Sequence, residues 1–278
     1  MQQESRWRSG WKFLLKLLDR VDSADLNMAA AGIAFFCFLA IFPAVAAVIA
    51  IWGWASDPGV IRQQLALAQD FVPVEAYKLI SNQVESLLAA NTRHLGWASA
   101  LSTGIALWSA RAGVAAMIRG LNSTHRLPSR AGLWDMVRAI VLTLTLVGVV
   151  LAAMLLNVVA PLIITFLPLG QATAKVLELA NVGLGMLLVV FGVALVYRLG
   201  PNRPKGSPRP VITLGLGVSV VLWALVSRGL VYYLANFANY NEVYGSIGAV
   251  VALMLWLYLS AFSVLLGAAV DAVRASPQ

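Results

Sequence analysis

From Gly245 to Val270 the chain carries no charged residue, and a helix needs only about 20 consecutive apolar residues to cross the hydrocarbon of a bilayer. Five other runs read the same way: Met28 to about Trp54, Leu95 to Ile118, Ala139 to Ala174, about Val176 to Leu199, and Val211 to about Ala238. The pattern predicts an all-α fold, a polytopic membrane protein with six transmembrane helices. Two polar stretches are periodic. In residues 1–27, Trp7, Trp11, Leu14, Leu15, Leu18 and Val21 recur at helical spacing while Arg8, Lys12, Lys16 and Asp19 fall elsewhere on the wheel. That is the pattern of an N-terminal helix lying in the membrane interface, although a plain basic tail that sets topology reads equally well. Between Pro58 and Asn91, Tyr77, Ile80, Val84, Leu87 and Leu88 share one face, and Pro73 separates two short helices. This is an amphipathic helical hairpin on the outer side. The division expected is a cytoplasmic amphipathic segment at 1–27, a six-helix membrane domain at 28–274 holding the extracytoplasmic hairpin at 58–92, and a cytoplasmic tail at 275–278.

Composition sharpens this picture. Apolar residues make up 60% of the chain and charged ones 12%, with a mean hydropathy of +0.81; soluble domains carry about 25% charged residues. The net charge of +8 would suggest nucleic acid in a soluble protein, but cytoplasmic loops of membrane proteins gather Lys and Arg for topological reasons. No nucleic-acid partner is expected; the bilayer is. The first apolar run lacks an Ala-x-Ala cleavage site and is read as retained. With both termini inside, Arg6, Arg8, Lys12, Lys16, Arg20, Arg119, Arg126, Arg130, Arg138, Arg198, Arg203, Lys205, Arg209 and Arg274 face the cytoplasm. Only Arg62, Lys78, Arg93 and Lys175 face out. The positive-inside rule therefore places both termini in the cytoplasm.

Polar residues inside the spans are the candidates for a substrate path. Pro43 frees a backbone carbonyl in mid-membrane, as a packing kink or as a hinge. Arg111 either snorkels to the cytoplasmic surface or serves as a charge in a cavity. Asn157 and Asn181 lie in the third and fourth spans. Arg228 has no charged neighbour in sequence, so it calls for a carboxylate or water, with Glu178 and Glu242 as the available acids. The turn before the last span gathers Asn239, Tyr240, Asn241, Glu242 and Tyr244, and Tyr258 stands two to four turns further in. These groups either cap a helix or form the mouth of a cavity. Gly32, Gly245, Gly248 and Gly267 are read as helix-packing positions, where small residues let backbones approach. Cys37 is the one cysteine, so no intramolecular disulfide forms. Neither a metal site nor a cofactor is expected, since acids and the two histidines are scattered along the chain.

Tyr244-Gly245-Ser246-Ile247-Gly248-Ala249, Trp256-Leu257-Tyr258-Leu259-Ser260 and Leu266-Gly267-Ala268 together resemble the last helix of the YihY/BrkB family of bacterial inner-membrane proteins, some of whose members have been labelled ribonuclease BN. Similar segments recur elsewhere: the small residues, aromatics and central Pro43 of the first span; Arg119-Gly120-Leu121-Asn122 after the second; Tyr197-Arg198-Leu199-Gly200-Pro201-Asn202 before the fifth; and Tyr240 with Tyr244-Gly245 before the sixth. One departure stands out. Where the family usually has Gly-Ala-Glu, this chain has Gly267-Ala268-Ala269, and its acid comes later, at Asp271. The resemblance implies a multi-pass protein of the bacterial inner membrane. A nuclease would need clustered carboxylates or histidines to hold metal and position water, and none is legible, so no enzyme is expected. Two classes remain: a transporter exporting a small polar solute or moving a lipid-linked one, and a non-transporting scaffold or envelope-assembly protein.

Overall fold

The computed structural model describes residues 2–55, isolated positions between 59 and 69, and residues 74–89, 95–128, 132–166, 171–204, 211–236 and 240–275. Among these residues the secondary structure is wholly helical: α1 (Gln2–Ser23), α2 (Leu26–Ala55), α3 (Val74–Ala89), α4 (Leu95–Thr124), α5 (Leu133–Phe166), α6 (Gln171–Leu199), α7 (Leu214–Asn236) and α8 (Tyr240–Ala275). Most apolar runs of the sequence became helices that overrun them at one or both ends, whereas α7 falls short of the Val211–Ala238 run at both. α5 continues through Pro161 to Phe166, because a proline removes one intrahelical hydrogen bond without forbidding the next turn.

Helix α8 is the centre of the bundle, packing against α1, α2, α3, α4 and α7. Its residues Ala261, Leu265, Ala268 and Ala269 recur at the spacing of one helical face, and all are buried. They meet Leu26, Ala30 and Ile33 of α2, Ala116 and Leu121 of α4, Ala194 and Tyr197 of α6, and Leu216 of α7. Small side chains set how close the helices come. A Cβ at Gly113 of α4 would lie 3.4 Å from Cys37 Sγ of α2, and one at Gly120 would lie 3.3 Å from the Ala29 Cβ.

The turns at one end are well defined. α1 and α2 meet at a bend of 53° where Asp25 takes a left-handed φ of 49°, a conformation open to Asp because its short side chain bonds locally. α4 stops in the same way. Arg126 has φ 52°, its N–H donates to Ser123 O at 3.0 Å, and Leu127 N–H reaches back to Asn122 O at 2.8 Å. That pair of bonds is a Schellman cap, satisfying carbonyls the helix end leaves free.

Leu214–Tyr233, with mean hydropathy 1.9, and Val250–Ala275, with 2.2, are long and apolar enough to cross a membrane; the bent pair Gly10–Ser23 and Leu26–Ile41 adds a third candidate if it forms one span. Large apolar side chains cover the outside of the bundle, Leu101 at 67%, Trp108 at 61% and Leu225 at 63% exposure among them. A soluble monomer rarely shows so much apolar surface, whereas a face turned to lipid must. On α1 the apolar residues divide: Leu17 and Val21 pack on the core, while Trp11, Leu14, Leu15 and Leu18 face outward. Helix α3 begins directly after Pro73, and Glu85 holds Arg62 in a bidentate pair at 2.8 and 2.9 Å.

Candidate functional site

Two polar places emerge. The first is the end of the bundle where α1 turns into α2, α4 into α5 and α6 into α7, and where α8 terminates. Asn202 N–H donates to Asn122 Oδ1 at 2.7 Å. Arg138, at the start of α5, donates through Nη1 to Asn202 Oδ1 and through Nη2 to Pro201 O at 2.8 Å. Asn202 Nδ2 reaches Pro128 O at 3.4 Å. Asn122 and Asn202 are both buried, so the end of α4, the link after it, the start of α5 and the turn after α6 are stapled through amide groups water does not reach. Beside them Arg20 donates to Thr124 O at 3.0 Å and Ser123 Oγ to Ala24 O at 3.2 Å, which ties the α1–α2 corner to α4. His125 Nδ1 lies 2.9 Å from Leu121 O. A carbonyl only accepts, so the ring carries its proton on Nδ1 and presents Nε2 to Arg203 Nη2 at 3.4 Å. Burial pushes the His125 pKa down; the Leu121 carbonyl works against that shift, and the Arg203 charge adds to it.

A few residues deeper, α6, α7 and α8 cross at contact distance. Tyr197 OH shares a 2.6 Å hydrogen bond with Ser219 Oγ and donates to Val264 O at 2.5 Å; Ser219 Oγ reaches Ser263 O at 3.1 Å. The crossing exists because Gly215 and Gly267 have no side chains. A Cβ on Gly267 would collide with Ser219 Oγ and the Gly215 carbonyl, and one on Gly215 with the Gly267 carbonyl and the Asp271 carboxylate. Thr213 Oγ1 accepts from Leu216 N–H at 3.0 Å while Asp271 Oδ1 accepts from Gly215 N–H at 2.8 Å. A hydroxyl and a carboxylate from two helices thus cap the start of α7, where the helix dipole favours negative charge. Every polar group named at this end has a partner in the protein. This end is an interlock.

The second place is a cleft of about 270 Å³ between α4 and α5. Gly104, Leu107, Trp108 and Arg111 of α4 and Ile140, Thr143 and Leu144 of α5 line it. The Thr143 hydroxyl is spent on Ala139 O of its own helix, at 2.6 Å. Arg111 stacks its guanidinium over the Trp108 ring, 4.3 Å from the centroid, and its Nε is buried with no hydrogen-bond partner. Arg111 stands near the middle of the 30-residue α4, about 20 Å along the axis from Thr124. The cleft is therefore apolar with one cation in it.

The described residues from the predicted path lie in different places. Tyr258 donates to Asn27 Oδ1 at 3.0 Å, joining α8 to the first turn of α2, and stacks on Phe262 with centroids 6.2 Å apart. Arg228 is exposed on α7, next to Ser227, which accepts from Trp256 Nε1 at 3.1 Å. Arg111 lines the α4–α5 cleft, whose lining does not include Tyr258 or Arg228. Pro43 lies within α2, Asn157 within α5, Asn181 within α6, and Tyr240, Asn241, Glu242, Tyr244 and Gly245 within α8, but their side chains fall outside the described residues, as does Asn239 altogether. Gly248 is buried. A Cβ at Gly32 would meet nothing within 4 Å, and α2 approaches its neighbours through Ala29 and Ala30 instead. Sequence reasoning passed over Trp108, Thr143, Arg138 and Ser219 as partners. Only Trp108 left a local signal, standing three residues before Arg111 on the same helical face. No group of three or more His, Cys, Asp or Glu side chains able to hold a metal occurs among the described residues.

A helical bundle with lipid-facing apolar surfaces and a charge set into an apolar cleft belongs to the class of integral membrane proteins. More particularly, the family described as Virulence factor BrkB matches residues 17–277, and the chain belongs to it. The putative ribonuclease-like protein YfkH of Bacillus subtilis is 29% identical over 268 residues, covering 94% of each chain. UPF0761 membrane proteins are similar too, that of Tolumonas auensis at 26% over 90% of this chain and 80% of its own, and that of Vibrio parahaemolyticus at 26% over 94% and 81%. No solved structure matches the chain at a significant level. The family resemblance read from the sequence is thereby shown. Three of the segments that carried it, Arg119–Asn122, Tyr197–Asn202 and Leu266–Ala268, meet at the interlocked end.

Proposed function

We propose that this chain is a six-span transporter of the bacterial inner membrane, both termini in the cytoplasm, that exports a small polar solute or moves a lipid-linked one and catalyses no reaction. One observation carries the reading: Arg111, in the middle of a helix with an apolar exterior, keeps a buried and unpaired Nε beside an open cleft. An arginine in a membrane helix costs up to about 2.5–3.5 kcal/mol on insertion scales, the full figure applying at the helix centre, and stacking on Trp108 returns about 0.5–2 kcal/mol. A residue held at that cost with a donor to spare is suited to a ligand. The scaffold reading draws on a different observation, the interlocked end, where polar residues serve only one another. The two readings part in reconstituted vesicles. Purified protein in proteoliposomes, screened for efflux of compatible solutes and amino acids and for movement of labelled lipids, is expected to move at least one class faster than empty vesicles. No movement of any class would favour the scaffold.

A further inference from the structure

We infer that the α4–α5 cleft binds an anionic membrane phospholipid, its phosphate on Arg111 and an acyl chain along Leu107, Ile140 and Leu144. The inference deepens the transport reading and rests on it for any movement of the bound lipid; binding itself stands on the cleft. Three features of the cleft select the occupant. Its lining is apolar apart from one hydroxyl, already used within its own helix, the Trp108 indole N–H and one cation, so a strongly hydrated solute would lose most of its water there without replacement. Its charge is positive, carried by a planar guanidinium whose buried Nε–H has no partner in the protein, and that group is the donor geometry a phosphate or carboxylate oxygen complements. It lies among exposed apolar residues, Leu101, Ile105, Trp108 and Leu144, so a ligand can enter sideways from the bilayer. A lipid tail and an anionic headgroup answer all three features; a free anion answers only the second. Trp108 holds the guanidinium over its face, which fixes the cation before a ligand arrives and lowers the cost of binding.

The test uses the full-length protein, stripped of lipid in a neutral detergent and titrated with phosphatidylglycerol or with phosphatidylcholine of the same chains, retained lipid being read by native mass spectrometry. The wild type is expected to hold phosphatidylglycerol about tenfold or more tightly than phosphatidylcholine, the discrimination a charge-assisted hydrogen bond provides. Arg111→Gln should reduce phosphatidylglycerol binding to the level of phosphatidylcholine. Gly104→Leu supplies a variant that keeps the arginine: a Cβ there meets nothing within 4 Å, so the leucine enters the cleft and should weaken both lipids. Phosphatidylglycerol preference that persists in a folded Arg111→Gln protein, or binding unaltered by Gly104→Leu, would overturn the site. Displacement of the lipid by millimolar inorganic phosphate, abolished in Arg111→Gln, would overturn the lipid in favour of a small anion. Lipid bound as expected but never moved in vesicles removes the transport reading and leaves the binding site standing.

Discussion

At the scale of single residues, the account depends on where a side chain is forbidden, which charge is tolerated and which proton is held. Gly267 and Gly215 face backbone carbonyls across the α7–α8 crossing, so a methyl group at either position must push two helices apart. Gly267→Ala and Gly215→Ala should each cost about 1–3 kcal/mol or more through overpacking, read as a fall in thermal midpoint in detergent. Gly217→Ala on the same helix meets open space and should leave the midpoint unchanged or slightly raised; equal effects at all three sites would refute the crossing. His125 offers a pH signature. Burial lowers its pKa in the folded protein, so folding favours the neutral ring, and the contribution to stability is complete above the unfolded value of about 6.5. It is lost as the pH falls through that value toward the folded pKa. The ring then gains a proton facing Arg203. The thermal midpoint should drop as the pH falls from about 7.5 to about 5.5, and His125→Asn should flatten that dependence. A midpoint equally steep in the variant would assign the titration elsewhere.

At the scale of elements, helices were legible in the sequence and their joints were not. A run of apolar residues announces a helix whatever its neighbours do, and α3 starts directly after Pro73, while the first helix of the expected hairpin is described only at isolated positions. The ends were harder. α4 runs on to Thr124 because the residues after Ile118 bury Leu121 and Asn122 against other helices, and hydropathy cannot distinguish a polar residue leaving the membrane from one buried in protein. Arg111 was visible as a charge in an apolar run, and Asn122 and Asn202 were visible through the family resemblance. Their partnership spans 80 positions, and Arg138 reaches Asn202 across 64, distances over which no periodicity speaks. The missing family acid at 269 has the same lesson: Ala269 is fully buried, while Asp271, one helical half-turn on, caps α7. Asp271→Ala should therefore cost about 1 kcal/mol, the value of a helix cap. Arg138→Ala, which strips the Pro201 carbonyl and the Asn202 amide of a charged donor, should cost about 1.5–3 kcal/mol. Urea or thermal unfolding in micelles checks the order; Asp271→Ala exceeding Arg138→Ala would mean that the cap, not the staple, holds this end.

At the scale of the whole molecule, the chain is a membrane protein of the BrkB family whose interlock and cleft divide the work of holding the bundle and presenting a charge. The proposed orientation rests on charge: the interlocked end carries Arg126 and Arg203, and the positive-inside rule favours the cytoplasm for it. In a chain with Cys37 replaced, a thiol reagent that does not cross membranes should leave Arg126→Cys untouched in intact cells and label Asn82→Cys on α3. Labelling at 126 from outside would invert the molecule. The claim on which the functional account turns is that Arg111 serves a substrate and not the fold. It is tested most directly by measuring, in matched proteoliposomes, the initial rate of movement of whichever solute or lipid the wild type carries, beside the rate for Arg111→Gln. The account predicts a fall of about tenfold or more in the variant with the thermal midpoint held or raised, since the substitution removes a buried Nε that has no hydrogen-bond partner in the protein. An unchanged rate in a folded Arg111→Gln protein would contradict it.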